Sequence, residues 1–341
     1  MPSPLLRFSK PSQDVAPEAA ALSADETRRA AEQGASRRRL PNGMPRTTCL
    51  LCGASTTAAQ RFRHADVDYL SCSQCTHIQS VDTVEAHTAF STVYPALDDK
   101  DHLHRCLRIY KPKLDWILES LLTLGIERSK ALALQWLEIG CGTGGFVRAL
   151  EREGASTIVG FDRDEGVLQE ARRHVRSSLQ TWDTSPSGKM FPPLDADILA
   201  AFFVLEHVDS LALAAAELKA SKTAYLALSV PCFGLGAALE GLAPGVFTRN
   251  LDGVIHRQMF TEKSLEQFLN LAGYECAAQW TFGQDALDLK RVVSSSPALA
   301  ATPALRETFT KALTPAIDRL QSIIDIAGLA DSVHVLARKK L

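Results

Sequence analysis

The chain has 341 residues, 46% of them hydrophobic and 22% charged, with a formal net charge of -2. That length suits one large core plus a smaller module, and the composition reads as a soluble globular protein. The charge balance offers no general basic field for nucleic acid, and no apolar run approaches the roughly 20 residues that cross a bilayer, which argues against RNA, DNA and membrane as partners.

Residues 1–46 are rich in Ala, Pro, Ser and Arg and show no bulky apolar period after Leu6, which reads as a disordered tail with a transient helix over 22–34. The run Arg37, Arg38, Arg39 is either solvated or a contact for a phosphate-bearing partner. No sustained apolar h-region is present, and Asp14, Glu18, Asp25 and Glu26 sit badly in a transit peptide, so the expected address is the cytoplasm. From 47 to 80 the composition turns to cysteines and turn residues. Residues 81–130 read as a linker and a helical segment, with Leu103, Leu107, Tyr110, Leu114, Ile117 and Leu121 three or four apart on one face. Pro112 marks an early turn or kink in it.

From residue 131 the signals alternate. A strand ALALQWLEI precedes a helix near 145–153, a strand TIVGF, a helix 164–175 and a short strand near LQTW. DILAAFFVL, a helix 209–220 and AYLALSV follow. Strands separated by helices of this length predict a parallel sheet covered on both faces, an α/β doubly wound architecture. Thr261 caps a further amphipathic helix that Gly273 closes before another strand. A helical insertion at about 290–328 then precedes the strand SVHVLARK at 332–339. Its part from 303 to 328 suits a cover over one end of the sheet, a homodimer surface or a substrate lid.

Four of the eight cysteines fall as Cys49-x2-Cys52 and Cys72-x2-Cys75, with 19 residues between the pairs. This is zinc-ribbon spacing, in which two turns close a tetrahedral thiolate site. In so short a module, metal ligation supplies roughly 10–16 kcal/mol of folding free energy that a small core cannot. Four thiolates complete the coordination, so the zinc reads as structural even with His64 and His77 nearby. Two disulfides are the competing arrangement, and the scattered Cys106, Cys141, Cys232 and Cys276 favour a reduced compartment instead.

Gly140, Gly142 and Gly145 satisfy G-x-G-x-x-G, with Gly144 between them and Asp162 ending the next strand about 20 residues on, which by itself admits a dinucleotide site. Glu138, two residues ahead of the first glycine, discriminates. A lone buried carboxylate is costly, so it calls for a positive partner, and S-adenosylmethionine brings an ammonium and a sulfonium to this position where a pyrophosphate brings negative charge.

LEIGCGTGGF, followed in order by VGFDRD, DILAAFFVLEHV and AYLALSVP, resembles the motifs of class I S-adenosylmethionine-dependent methyltransferases over about 130–285. The resemblance implies a Rossmann-like seven-stranded sheet with its last strand antiparallel. It also implies that Gly140, Cys141, Gly142 and Gly144 line the methionine part of the cofactor and that Asp162 holds both ribose hydroxyls. Asp183 would accept from the adenine amino group beside the backbone of Trp182, with Phe203 as a cofactor wall. Arg163 stands where an apolar residue often flanks adenine. The cysteine module joined to this domain, with YLSCSQCTHIQS and YPALDD, is similar to bacterial methyltransferases acting on nucleotide-linked sugars and related metabolites. The chain has no room for the large C-terminal domain of the sugar C-methyltransferases.

Methyl transfer from a sulfonium is an in-line displacement, so catalysis rests on positioning and exclusion of water, with a base where the nucleophile carries a proton. His207, in LEHV, follows the fourth strand of the domain, where an open α/β sheet exposes its crevice, with Glu206 beside it to orient the ring or face the substrate. His256, in VIHRQMFT, lies in the long connection after the fifth. Each histidine has a plainer reading as a packing or loop-fixing group. Tyr94, Arg257, Gln284 and Asp285 are further pocket candidates. The leading expectation is methyl transfer to a small polar acceptor. An RNA methyltransferase clamping its substrate with the ribbon and a non-catalytic cofactor-binding module are the alternatives, the first opposed by Asp66 and Asp68 balancing Arg61 and Arg63.

Overall fold

A computed structural model of the chain describes residues 4–15, 44–64, 67–82, 97–183, 188–243, 246–247, 250–251 and 256–340. Its strands are β1 (Leu5–Phe8), β2 (Gln60–His64), β3 (Val67–Ser71), β4 (Ile78–Ser80), β5 (Gln135–Ile139) and β6 (Thr157–Asp162). They continue as β7 (Ser178–Thr181), β8 (Ile198–Phe202), β9 (Tyr225–Pro231), β10 (Gln258–Met259), β11 (Tyr274–Thr281) and β12 (Ser332–Lys339). The large sheet runs β1-β11-β12-β9-β8-β5-β6-β7. All its pairings are parallel except those of β12, which lies antiparallel between β9 and β11.

The interior strands are buried almost end to end, as strands covered on both faces must be. Alternation divides them between two cores. Leu199 and Ala201 of β8 face one, while Ile198 and Ala200 face the other beneath the helical run before β5.

Seven of these strands form the expected sheet, and β1 adds an eighth. Part of the stretch expected to be disordered therefore pairs with β11, Leu5 opposite Ala278 and Phe8 opposite Thr281. Leu5, Leu6 and Phe8 stay exposed, so no apolar period announces this strand. It is held by backbone pairing and by the Arg7 guanidinium 4.4 Å from the Trp280 ring. The stretch ALALQWLEI also differs from its expected single strand: Arg128–Ala133 is a helix, and β5 starts at Gln135. Pro112 breaks nothing. Asp99–Arg105, a π-helical turn Cys106–Tyr110 and Lys111–Thr123 run on as one helical stretch, the wider turn lying just before a proline that has no N–H to give.

A second sheet, β10-β4-β3-β2, carries the cysteine module. Its outer strand β10 comes from the connection after β9, with Gln258 opposite Gln79 and Met259 opposite Ile78. Cys49, Leu51, Cys72 and Cys75 share a core with Phe260, Leu205 and Leu211, so the module is packed into the body of the domain. Among the described residues, no helix is long and apolar enough to cross a membrane.

Candidate active site at the carboxyl end of the sheet

β5 delivers the chain into a turn where Gly140, Gly142 and Gly144 have φ of 68°, 52° and 80°, before the helix Gly145–Arg152. Gly140 is required twice over: its φ is left-handed, and a Cβ there would lie 2.6 Å from Cγ2 of Val204. A Cβ at Gly142 would meet nothing within 4 Å, which leaves that side of the turn open to a ligand. The Tyr110 ring lies against Gly145, so the π-helical turn brings a tyrosine to the glycine loop.

Glu138 is 3% exposed. One protein cation does reach it, which the sequence argument missed: Lys113, wholly buried, acts electrostatically on both Glu138 and Glu206. Burial pushes the Lys113 ammonium down to about 7. Its Nζ lies 3.4 Å from Ser229 Oγ and 4.7 and 5.0 Å from the Phe202 and Phe203 rings. Glu138 accepts from the Val147 N–H in the first turn of the next helix, while its Oε2 makes no hydrogen bond. Burial raises its carboxyl well above the usual range. The need for a positive partner is thus met in part by Lys113, and one buried acceptor atom is left over.

Asp162 ends β6 and reaches back to the turn, accepting from the Gly142 N–H at 2.9 Å and the Asp164 N–H at 3.0 Å. Burial raises its carboxyl, and those donors oppose the rise. Trp182 is tied to β6 through its N–H and the Asp162 carbonyl, and its indole Nε1 is buried without a hydrogen bond. Arg163 and Asp183 are exposed beside these residues. The buried Cys141 thiol packs toward Gly160, and burial drives its pKa upward, the opposite of an activated nucleophile. Phe203 is 39% exposed with φ 57°, at the point where β8 turns toward Val204.

Beyond β8, Leu205–His207 forms one tight helical turn. Glu206, His207 and His256 come together there, with a donor atom from each within 4.8 Å of the others. The two imidazoles are 5.1 Å apart and 27° from parallel, and His207 Nε2 lies 4.0 Å from Glu206 Oε1. Glu206 is fully buried, and the two histidines are half-buried. Gln258, which spacing arguments did not single out, fixes this meeting by donating to the carbonyls of Leu205 and Val208, both at 2.8 Å. Arg257 pairs with Asp209 at 2.5 Å. Gln284 and Asp285 lie elsewhere, in an acidic cluster under the C-terminal helices, and Tyr94 lies outside the described residues.

In the cysteine module, Cys49 and Cys75 Sγ are 3.6 Å apart, as are those of Cys52 and Cys72, and all four sulfurs fall within 4.8 Å of one another. A tetrahedron with Zn–S of about 2.3 Å has edges of about 3.8 Å, so the group can hold a zinc ion. None of the four is in a disulfide. The two halves repeat one turn: the N–H of Gly53 donates to Cys49 and that of Thr76 to Cys72, both donors at positive φ. His64 and His77 contact the Ala237 carbonyl and Gln258, so they are tied into packing rather than ligation.

Several solved structures are similar in fold. Magnesium protoporphyrin IX methyltransferase from Synechocystis PCC 6803 is 16% identical, with 70% of this chain and 87% of that chain covered at a TM-score of 0.42. An S-adenosylmethionine-dependent methyltransferase from Mesorhizobium loti gives 18%, 61%, 91% and 0.38 for the same quantities. One from Archaeoglobus fulgidus gives 16%, 71%, 100% and 0.39. No curated protein matches the sequence. Residues 103–279, just over half of the chain, match a family described as a methyltransferase domain, and they run from the helix carrying Lys113 through the glycine turn, Asp162 and the histidine pair into β11. The chain belongs to that family and is an S-adenosylmethionine-dependent methyltransferase.

Proposed function

We propose that the enzyme methylates a small polar metabolite, with nucleotide-linked sugars the first class to try, and that the acceptor atom is held and activated at Glu206, His207 and His256. The observation that carries this is the convergence of a buried carboxylate and two half-buried imidazoles just past β8, beside the strand that delivers the glycine turn. The residues suit the cofactor. The open side of Gly142, the leftover Oε2 of Glu138 and the two oxygens of Asp162, each with lone pairs to spare, match a ligand with a cationic amino-acid end and a ribose. Bound S-adenosylmethionine supplies an electrophilic methyl on a sulfonium. The chain supplies the rest: Gly140 to Gly144 admit the methionine part, Asp162 takes the ribose hydroxyls, Trp182 and Asp183 border the adenine, and Phe203 walls the crevice. The cysteine module, packed against Phe260 and Leu205, serves as a wall of the acceptor site.

Calorimetric titration with S-adenosylhomocysteine and, separately, with NAD is the first test. Binding of the first alone is the expected result, and binding of NAD alone overturns the reading. Asp162→Ala should weaken S-adenosylhomocysteine tenfold or more, the scale of losing charge-assisted hydrogen bonds. His256→Ala should lower turnover while leaving that affinity within about twofold; unchanged turnover removes His256 from the reaction.

A further inference from the structure

We infer that Glu206, His207 and His256 form a binding site for one divalent first-row cation, and that the acceptor is held on that cation through two adjacent oxygen atoms. This rests on the methyl-acceptor reading of the same cluster and goes further by naming what fills it.

The geometry comes first. Three donors of two kinds, one carboxylate and two imidazoles, already lie within 4.8 Å of one another. A cation about 2.1 Å from each would draw them to about 3.0–3.4 Å, a contraction of up to about 1.4–1.8 Å that side-chain rotation supplies. Two imidazoles and one carboxylate on one side of a metal leave the remaining positions open, the donor set that suits manganese, iron, cobalt or zinc. Here the two histidines are half-buried and Glu206 is buried, so the group is reached from solvent at its histidines.

The second observation is the state of Glu206. It is 0% exposed, yet among the described residues neither carboxylate oxygen has a hydrogen-bond partner, with His207 Nε2 standing 4.0 Å from Oε1. A buried carboxylate without donors is among the costliest arrangements a fold can keep. Lys113 acts on it only at a distance, being hydrogen-bonded to Ser229 and seated over Phe202 and Phe203. A cation at the histidines would meet both oxygens' need. The hydrogen bonds from Gln258 to the carbonyls of Leu205 and Val208 hold the segment bearing two of the ligands, the support a metal site requires.

The chemistry selects the acceptor. A cation held there would lower the pKa of a hydroxyl bound to it, so that its proton could pass to solvent, and a second adjacent oxygen, as in a vicinal diol or an α-hydroxy acid, would complete a chelate. The resulting alkoxide takes the methyl: the O–C bond forms as the C–S bond breaks, and the bonding pair stays on sulfur as the sulfonium becomes a neutral thioether.

The test uses the full chain carrying one zinc at the cysteine site and freed of excess zinc, titrated with Mn2+ and followed by electron paramagnetic resonance, with S-adenosylhomocysteine binding measured on the same samples. The expected result is one bound Mn2+ per chain. His207→Ala, His256→Ala and Glu206→Gln should each weaken it at least tenfold while S-adenosylhomocysteine still binds. Retained S-adenosylhomocysteine binding also shows that each variant is folded. No Mn2+ binding at millimolar metal, or binding that none of the three substitutions alters, overturns the inference and leaves the methyltransferase reading standing. Loss of S-adenosylhomocysteine binding by the unmodified chain strikes that reading instead.

Discussion

Among the described residues, two groups of buried carboxylates are treated differently. Under the C-terminal helices, Asp285, Asp288, Asp325 and Asp331 are at most 2% exposed. Asp285 accepts from the Gly236 N–H, the Gln321 amide and the Asp331 N–H, Asp331 accepts from the Gln284 N–H, and Arg291 pairs with Asp288. Beside the glycine turn, Glu138 keeps one oxygen without a donor and Glu206 keeps two. Acids of the first kind join helices Asp285–Ser294 and Ile317–Ile326 to the sheet; those of the second keep carboxylate oxygens without a hydrogen-bond partner. The lesson is that burial of charge does not by itself mark a site, and that several unpartnered carboxylate oxygens beside one crevice are the more telling observation.

The contrast can be broken by substitution. Glu206→Gln should produce the largest change, a fall in turnover of about 100-fold or more. Its urea midpoint should stay close to that of the unmodified chain, because burial already pushes the Glu206 carboxyl up to about 8 and an amide of the same shape replaces a largely neutral group. A large loss of stability in Glu206→Gln would put it in the same class as Asp285. Asp285→Ala should do the reverse, costing about 3 kcal/mol in urea unfolding by stranding its donors while S-adenosylhomocysteine affinity stays unchanged.

The smallest effect should come from Asp325, the one acid of the structural group with an oxygen left over, which burial pushes up to about 6. Its folded form keeps a proton that the unfolded chain releases near 3.8, so stability should fall as pH rises from about 4 to 6. Asp325→Asn should flatten that part of a melting-temperature profile. An unchanged slope would mean that Asp325 is hydrogen-bonded as fully as its neighbours.

Much of this was legible in the sequence because local pattern reports it. The cysteine spacing, the glycine turn with Glu138 and the LEHV stretch are each read from local sequence, and the strands β5, β6, β8 and β9 announce themselves by apolar runs. What stayed hidden depends on distant partners. Lys113 sits among residues of an amphipathic helix, where a lysine ordinarily faces water, and only the sheet beneath shows that it is buried. Gln258 looks like any loop glutamine until its two carbonyl partners are in place. β1 carries exposed leucines and is recognisable only by the strand it joins.

The location of β12 bears on how the protein comes into being on the ribosome. It emerges after every other strand of the large sheet, yet it belongs between β9 and β11. Until it arrives, β11 and β1 have no neighbour linking them to the strands that carry the glycine turn. A premature stop codon just before Ser332 would therefore remove an internal plank rather than trim an edge, and the nascent chain would keep two pieces of sheet apart until synthesis has passed Lys339.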